Sequence, residues 1–258
     1  MTGKVRLGGM ALANGVLVHG PTAWACAVRT PDGEVRVASG RKPLLTDSAS
    51  HPLVRGPLQL LGALALVPLV RRRLPEARLP MERPKMLALL VVGMVAGRLA
   101  RGSKRLSPAA QELVGGIFSL ASVGAALRGS ELAAYHGAEH ISIGTYEHGH
   151  PAPREHERCG SHLVGPLLAT SALGQTLAAR ASERWRGPAR VAASLGAVAV
   201  STELFVWMVR HPEHRLARLL AWPGHELQRR LATAEPTPEQ LEVAEAALGA
   251  CLELERAA

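Results

Sequence analysis

Two hydrophobic periods divide the chain. In the first 50 residues the pattern is β-like: AWACAVR (residues 23–29) is followed by the turn signal TPDG and then by the alternating run EVRVAS (34–39), a strand, a turn and a strand. Gly8, Gly9, Gly15 and Gly20-Pro21 punctuate the approach to this hairpin. From Leu53 onward the chain changes to long apolar runs at 58–70, 86–100, 113–127, 163–179 and 191–209, the last broken only by Glu203. Ser107-Pro108 marks a helix start before the third run. A membrane-crossing helix needs about 20 largely apolar residues, with a usable range of about 17–25. The last two runs reach that range, the second and third fall short unless their flanks snorkel, and the first is too short. The pattern predicts a mainly α, multi-pass helical membrane protein with a small N-terminal β-hairpin region. Residues 1–50 are expected to be a β cap. Residues 51–258 are expected to be a helical membrane domain holding a His-rich site and an amphipathic C-terminal tail around Trp222, with a short helix near 238–255.

Charge supports the membrane reading. The chain carries 30 Lys+Arg against 21 Asp+Glu, a formal net charge of +9. The bases sit at the ends of apolar runs, as in Arg71–Arg73, Arg98–Arg105 and Arg180–Arg190, and no basic stripe alternates with aromatics that could stack on bases. Membrane lipid is therefore the expected partner and nucleic acid is not. If the four longer runs cross in order, the side that collects 71–85, 128–162 and 210–230 carries twice the Lys+Arg of the other side. The positive-inside rule then puts the His-rich loop and both termini in the cytoplasm. The start, MTGKVRLGGMALANG, has no long apolar core before a cleavage site, so the inner membrane is the expected address. Three widely spaced cysteines, Cys26, Cys159 and Cys251, do not suggest a disulfide framework.

Candidate chemistry concentrates in residues 133–163. His136-Gly-Ala-Glu139-His140 is an H-x-x-E-H pattern, and on a helix these three side chains share one face. Two histidines so spaced can bind one divalent cation, zinc being the expected one, while the glutamate serves as general base toward a metal-activated water. Gly137 inside the motif weakens a helix by about 1 kcal/mol relative to alanine. Glu203, an acid within an apolar run, is the expected third ligand, because such a group needs a partner or a polar cavity. His156, Cys159 and His162 recur every third residue with Glu147, His148 and His150 upstream. They offer a rival closed zinc site, or groups that orient the first two histidines. Cys159 as a nucleophile, with His156 or His162 as base, lacks an orienting third group.

The stretches LGGMALANGVLVHGP, RGPLQLLG, YHGAEHISIGTYEHG, HERCGSHL, STEL and LATAEPTPEQLEVAEAAL make the chain resemble the YqhQ-like family, a domain of unknown function whose members are sometimes predicted to be metal-dependent enzymes. The resemblance implies a multi-pass membrane protein whose shared polar residues map to His136, Glu139, His140, Glu147, His156, Arg158, Cys159 and Glu203. The chain departs from the family with Met10 and Asn14 in place of glutamine and glutamate, His19 in place of arginine and Ile141 in place of lysine.

These observations lead to the expectation of a metal-dependent membrane hydrolase. In that reading His136, His140 and Glu203 bind the cation and Glu139 is the base, with Glu147, His156, Arg158 and Cys159 as supporting groups or alternate ligands. A non-catalytic membrane scaffold with a structural zinc or a protein-binding loop is the competing expectation. A transporter using Glu203 is weakened by the lack of acids in the other runs.

Overall fold

The computed structural model describes residues 4–43 and 51–257. Strands β1 (Gly8–Leu12), β2 (Gly15–His19), β3 (Ala23–Arg29) and β4 (Val35–Arg41) form one antiparallel sheet in that order. The expected β3–β4 hairpin is present, and a second hairpin, β1–β2, precedes it across the turn Ala13–Asn14. The expected domain boundary at residue 50 lies outside the described residues. The helices are α1 (Arg55–Leu64), α2 (Leu66–Arg73), α3 (Pro84–Arg101), α4 (Pro108–Leu127), α5 (Glu131–His148), α6 (Val164–Ala178), α7 (Glu183–Arg210), α8 (Arg215–Leu227) and α9 (Pro238–Arg256).

The central strands are buried on both faces, which is why β2 and β3 read as near-continuous apolar runs. One face, Val16, Val18, Ala25 and Ala27, packs on Tyr135, Ala138 and Ile143 of α5 and on Val243, Ala244, Ala247 and Cys251 of α9. The other face, Leu12, Leu17, Trp24, Cys26 and Val28, packs on Leu66 and Val70 of α2 and on Leu74 and Ala77 just after it. The C-terminal helix is thus part of the same core as the N-terminal sheet. Residues 128–162, expected as a loop, contain α5, a helix buried against that sheet.

Among the remaining helices α3 packs with α4 and α6 with α7, the two pairs meet through α4 and α6, and α1 and α8 pack on the second pair. Among the described residues two helices, α4 and α7, are long and apolar enough to cross a membrane. Only 11% and 22% of their apolar windows are buried, so neither is a core helix of the usual kind. α3 and α6 add to the same exposed apolar belt, with Leu99 at 70% and Leu173 at 63% exposure.

Sheet and C-terminal helix are joined by one carboxylate. Glu255 accepts from the Thr22 N–H (2.8 Å), the Ala23 N–H (2.7 Å) and the Thr22 hydroxyl (3.0 Å), covering donors that the β2–β3 turn leaves open. Charge-assisted bonds of this kind contribute about 1.5–3 kcal/mol. Glu255→Ala is therefore expected to destabilise the protein by about 2–3 kcal/mol. Thermal unfolding in detergent, with Glu253→Ala as the control, measures this.

Candidate metal centre

Helix α5 carries the H-x-x-E-H motif, and its ends are set locally. The Ser130 hydroxyl caps the start by accepting from the Ala133 N–H (3.2 Å), and Gly149 closes the end in the left-handed conformation at φ 77°. Gly137 is explained by a close approach. A Cβ there would lie 2.2 Å from the Ala234 carbonyl oxygen, in the segment that crosses α5 and donates the Ala234 N–H to the Ala133 carbonyl (2.8 Å). The crossing also brings the Ala232 carbonyl to within 2.9 Å of His136 Nδ1. From the 152–156 segment, the Arg154 carbonyl sits 2.6 Å from His140 Nδ1. A carbonyl only accepts, so both imidazoles carry their proton on Nδ1 and present a bare Nε2.

Those two nitrogens converge with Cys159. The donor atoms of His136, His140 and Cys159 all lie within 4.8 Å of one another, so this cluster could hold a metal ion. The Cys159 Sγ to His136 Nε2 distance is 3.6 Å. Zinc–sulfur and zinc–nitrogen bonds of about 2.3 and 2.1 Å at a tetrahedral angle span about 3.6 Å between ligand atoms. The three residues therefore fit the cation in both donor type and spacing.

His156 takes a different role. Its Nδ1 accepts from the Arg158 N–H (3.3 Å), so its Nε2 donates to Glu147 (3.1 Å), and neither nitrogen is free for a cation. Its ring lies 5.5 Å from that of His140 and walls the cluster. Glu147 also pairs with the Arg158 guanidinium. The segment carrying these groups is fastened by Gln228, fully buried in a π-helical turn after α8. Gln228 accepts from the His156 N–H (2.8 Å) and donates to the Ser161 hydroxyl (2.8 Å). His162 Nδ1 lies 3.3 Å from the Gln228 amide nitrogen, outside the cluster. His148 and His150 stack on each other at the end of α5.

Glu203 lies elsewhere. Its carboxylate is held by Arg55 at 2.9 and 2.5 Å and accepts from the Leu53 N–H (3.1 Å), tying α7 to α1. Among the described residues the third convergent donor is Cys159, not Glu203. An acid in an apolar run needed a partner, and an arginine supplies it. Asn14 is likewise engaged, donating to the Arg29 and Glu76 carbonyls and accepting from the Arg78 N–H, so it is a clamp on the β1–β2 turn.

Glu139 borders the same cavity, a cleft of about 470 Å³ walled by β1, α5 and the 156–161 segment. Its side chain packs on the bare backbone of Gly9, where a Cβ would fall 2.3 Å from Oε1. It is 6% exposed, and no described residue hydrogen-bonds its carboxyl. Burial pushes that carboxyl up to about 7, with His136 opposing the shift and Cys159 adding to it. Burial, and after it His136, holds the His140 imidazole far below its usual range, so it stays neutral. Burial also raises the Cys159 thiol, against the Ser161 N–H. A raised thiol is a poor free nucleophile but becomes a thiolate on ligation.

A family model described as a protein of unknown function (DUF1385) matches residues 118–254, just over half of the chain, including His136, Glu139, His140 and Cys159 but not β1. The chain belongs to the DUF1385 family. No curated protein and no solved structure matches it. In this DUF1385 protein the signals missed at the sequence level are Gly9 and Gln228, together with two backbone carbonyls, which no side-chain pattern announces.

Two outcomes follow for the DUF1385 site. Gly137→Ala would stabilise an isolated helix by about 1 kcal/mol. Here the Ala234 carbonyl blocks the new methyl, so a net loss of about 1–3 kcal/mol is expected, with weaker zinc uptake as the Ala232 carbonyl leaves His136. Unfolding and zinc titration of the variant check both. Because the Cys159 thiol is raised, it is protonated at neutral pH and zinc must displace that proton. Zinc affinity is then expected to rise about tenfold per pH unit near neutrality. Calorimetry in two buffers of different ionisation enthalpy should register about one released proton, which Cys159→Ala removes and Glu203→Ala leaves in place.

Proposed function

We propose that this DUF1385 protein is a metal-dependent hydrolase attached to a membrane. The observation that carries the reading is the convergence of three soft and borderline donors, in one cleft, beside a buried carboxyl that no described residue hydrogen-bonds. Three protein ligands with an open position toward a cavity is the pattern of catalytic zinc sites, whereas structural sites are closed by a fourth protein ligand. A bound divalent cation would supply Lewis-acid chemistry, polarising an oxygen of the substrate or of water.

The chain's own groups supply the rest. His136, His140 and Cys159 hold the cation, with the Ala232 and Arg154 carbonyls fixing the two imidazoles. Glu139 is the general base, since no described residue hydrogen-bonds its carboxyl, and its raised carboxyl can both take and return a proton. Glu147, His156 and Arg158 hold the wall that shields the cluster from bulk water. The apolar surfaces of α3, α4, α6 and α7 meet lipid, and the Lys+Arg distribution favours the site's lying on the cytoplasmic side.

Elemental analysis of detergent-purified protein is expected to find about one equivalent of metal per chain, lost in the double variant His136→Ala/His140→Ala. Glu139→Gln is expected to keep fold and metal but to abolish rescue of a deletion strain. Full rescue by Glu139→Gln with metal retained would leave a scaffold with a structural zinc as the better reading, and absence of metal would end the hydrolase proposal.

A further inference from the structure

β1 is an edge strand, since its only partner in the sheet is β2. The two-residue turn makes Leu12–Gly15 a hydrogen-bonded pair, and antiparallel ladders alternate. Met10–Leu17 and Gly8–His19 are then bonded pairs, while Gly9 and Ala11 aim their N–H and C=O groups away from β2. Among the described residues nothing bonds those outward groups. One residue beyond the strand the edge is closed, for the Ala13 N–H donates to the Arg78 carbonyl (2.9 Å) and Arg83 donates to the Ala13 carbonyl (3.0 Å). The open stretch is therefore local, and it faces the cleft that holds Glu139 and the cluster.

Edges left open in this way are usually protected by charge, proline, a bulge or a covering segment. The sequence Gly-Gly-Met-Ala-Leu has none of these. The cleft also continues past Gly8 into an adjoining depression of about 440 Å³ between His19, Lys42, Gln59 and Arg158. Together they make a trough along the strand rather than a compact hole, which suits an extended ligand. At its other end Leu127, Leu132, Pro80 and Leu227 give it apolar walls.

Resting on the hydrolase reading above, we propose that the substrate is a polypeptide segment that docks in extended form on the free edge of β1 and is cleaved at the metal cluster. The Gly9 and Ala11 groups complete a ladder with the segment's backbone, and an apolar side chain fills the Leu127–Leu132 end. Docking there sets one peptide bond against Glu139, because Gly9 packs directly on that side chain. Cleavage consumes one water. Its oxygen bonds to the carbonyl carbon, the C–N bond breaks, and the proton that Glu139 takes from the water passes to the leaving nitrogen. The products are one carboxyl and one amine terminus.

The test uses full-length Glu139→Gln protein in detergent, loaded with zinc, and a library of fluorescent unstructured decapeptides each holding one apolar residue. Expected is saturable binding of a subset of these peptides. N-methylation of alternate amides in one register should weaken binding by about tenfold or more, and methylation in the other register should not. Ala11→Pro, which deletes one outward donor without touching a bond to β2, should weaken binding similarly with zinc stoichiometry unchanged. Zinc-loaded protein that binds no peptide, or binds all N-methylated forms equally well, overturns the polypeptide assignment while leaving the metal centre standing. Protein that retains no zinc overturns both.

Discussion

Everything at the centre depends on two backbone carbonyls aimed at two imidazoles. Without a fixed acceptor at Nδ1, each ring of His136 and His140 would be free to carry its proton on either nitrogen and to turn about its side-chain bonds. The Ala232 and Arg154 carbonyls remove that freedom. They can do so because two segments cross α5 closely, residues 232–234 over Gly137 and residues 152–156 over Gly144, with Arg154 reaching Gly137 as well. The buried Gln228 amide and the Arg154 guanidinium, which reaches the Thr233 and Arg229 carbonyls, tie these segments together. Ligand geometry is thus set by loop packing on a rigid helix, not by the motif alone.

The same packing constrains any arrangement in a membrane. The sheet, α5 and α9 share one core, so in any proposed membrane arrangement they would lie on one side of the bilayer. An even number of crossings must then separate the sheet from α5, and α5 from α9. Among the described residues only α4 in the first interval and α7 in the second are long and apolar enough by themselves. Each therefore needs a returning partner, and the packed neighbours α3 and α6 are the natural ones. At 1.5 Å per residue, the 18 residues of α3 and the 15 of α6 reach about 27 and 22 Å, against about 30 Å of hydrocarbon. Two helical hairpins that dip into the bilayer, with flanking arginines at the headgroups and the short arm helped by local thinning, satisfy this parity.

Much of the helical pattern was legible because apolar runs with Ser-Pro or Pro starts mark their own ends, as at Ser107-Pro108. The β3–β4 hairpin was legible from its turn and alternation. The β1–β2 hairpin was less so: Asn14-Gly15 is a hairpin signal, but a strand beginning Gly8-Gly9 has no alternating apolar face. The burial of α5 was hidden by its histidines and glutamates, which read as a solvated loop until their partners are seen. Glu203 shows the limit of reasoning from a buried acid. The demand for a partner was right, but its identity depended on Arg55, whose distance in sequence gave no clue. Cys159 stood among the alternates because spacing suggests donors and not the direction in which they point.

Glu139 is the residue that the fold does least to justify. Raising its carboxyl from 4.5 to about 7 corresponds to about 3 kcal/mol of disfavour for its charged form relative to water. No hydrogen bond among the described residues offsets that, and glycine is needed at position 9 to leave room for the side chain. A leucine or methionine there would extend the apolar packing of Ile143 and Leu132 at no such cost. An ordinary structural glutamate has a cation or a row of N–H groups, as Glu203 and Glu255 do. A carboxyl that no described residue hydrogen-bonds, lining a cleft beside three convergent ligands, has instead the placement of a proton acceptor, which supports the proposed chemistry over scaffolding at this site.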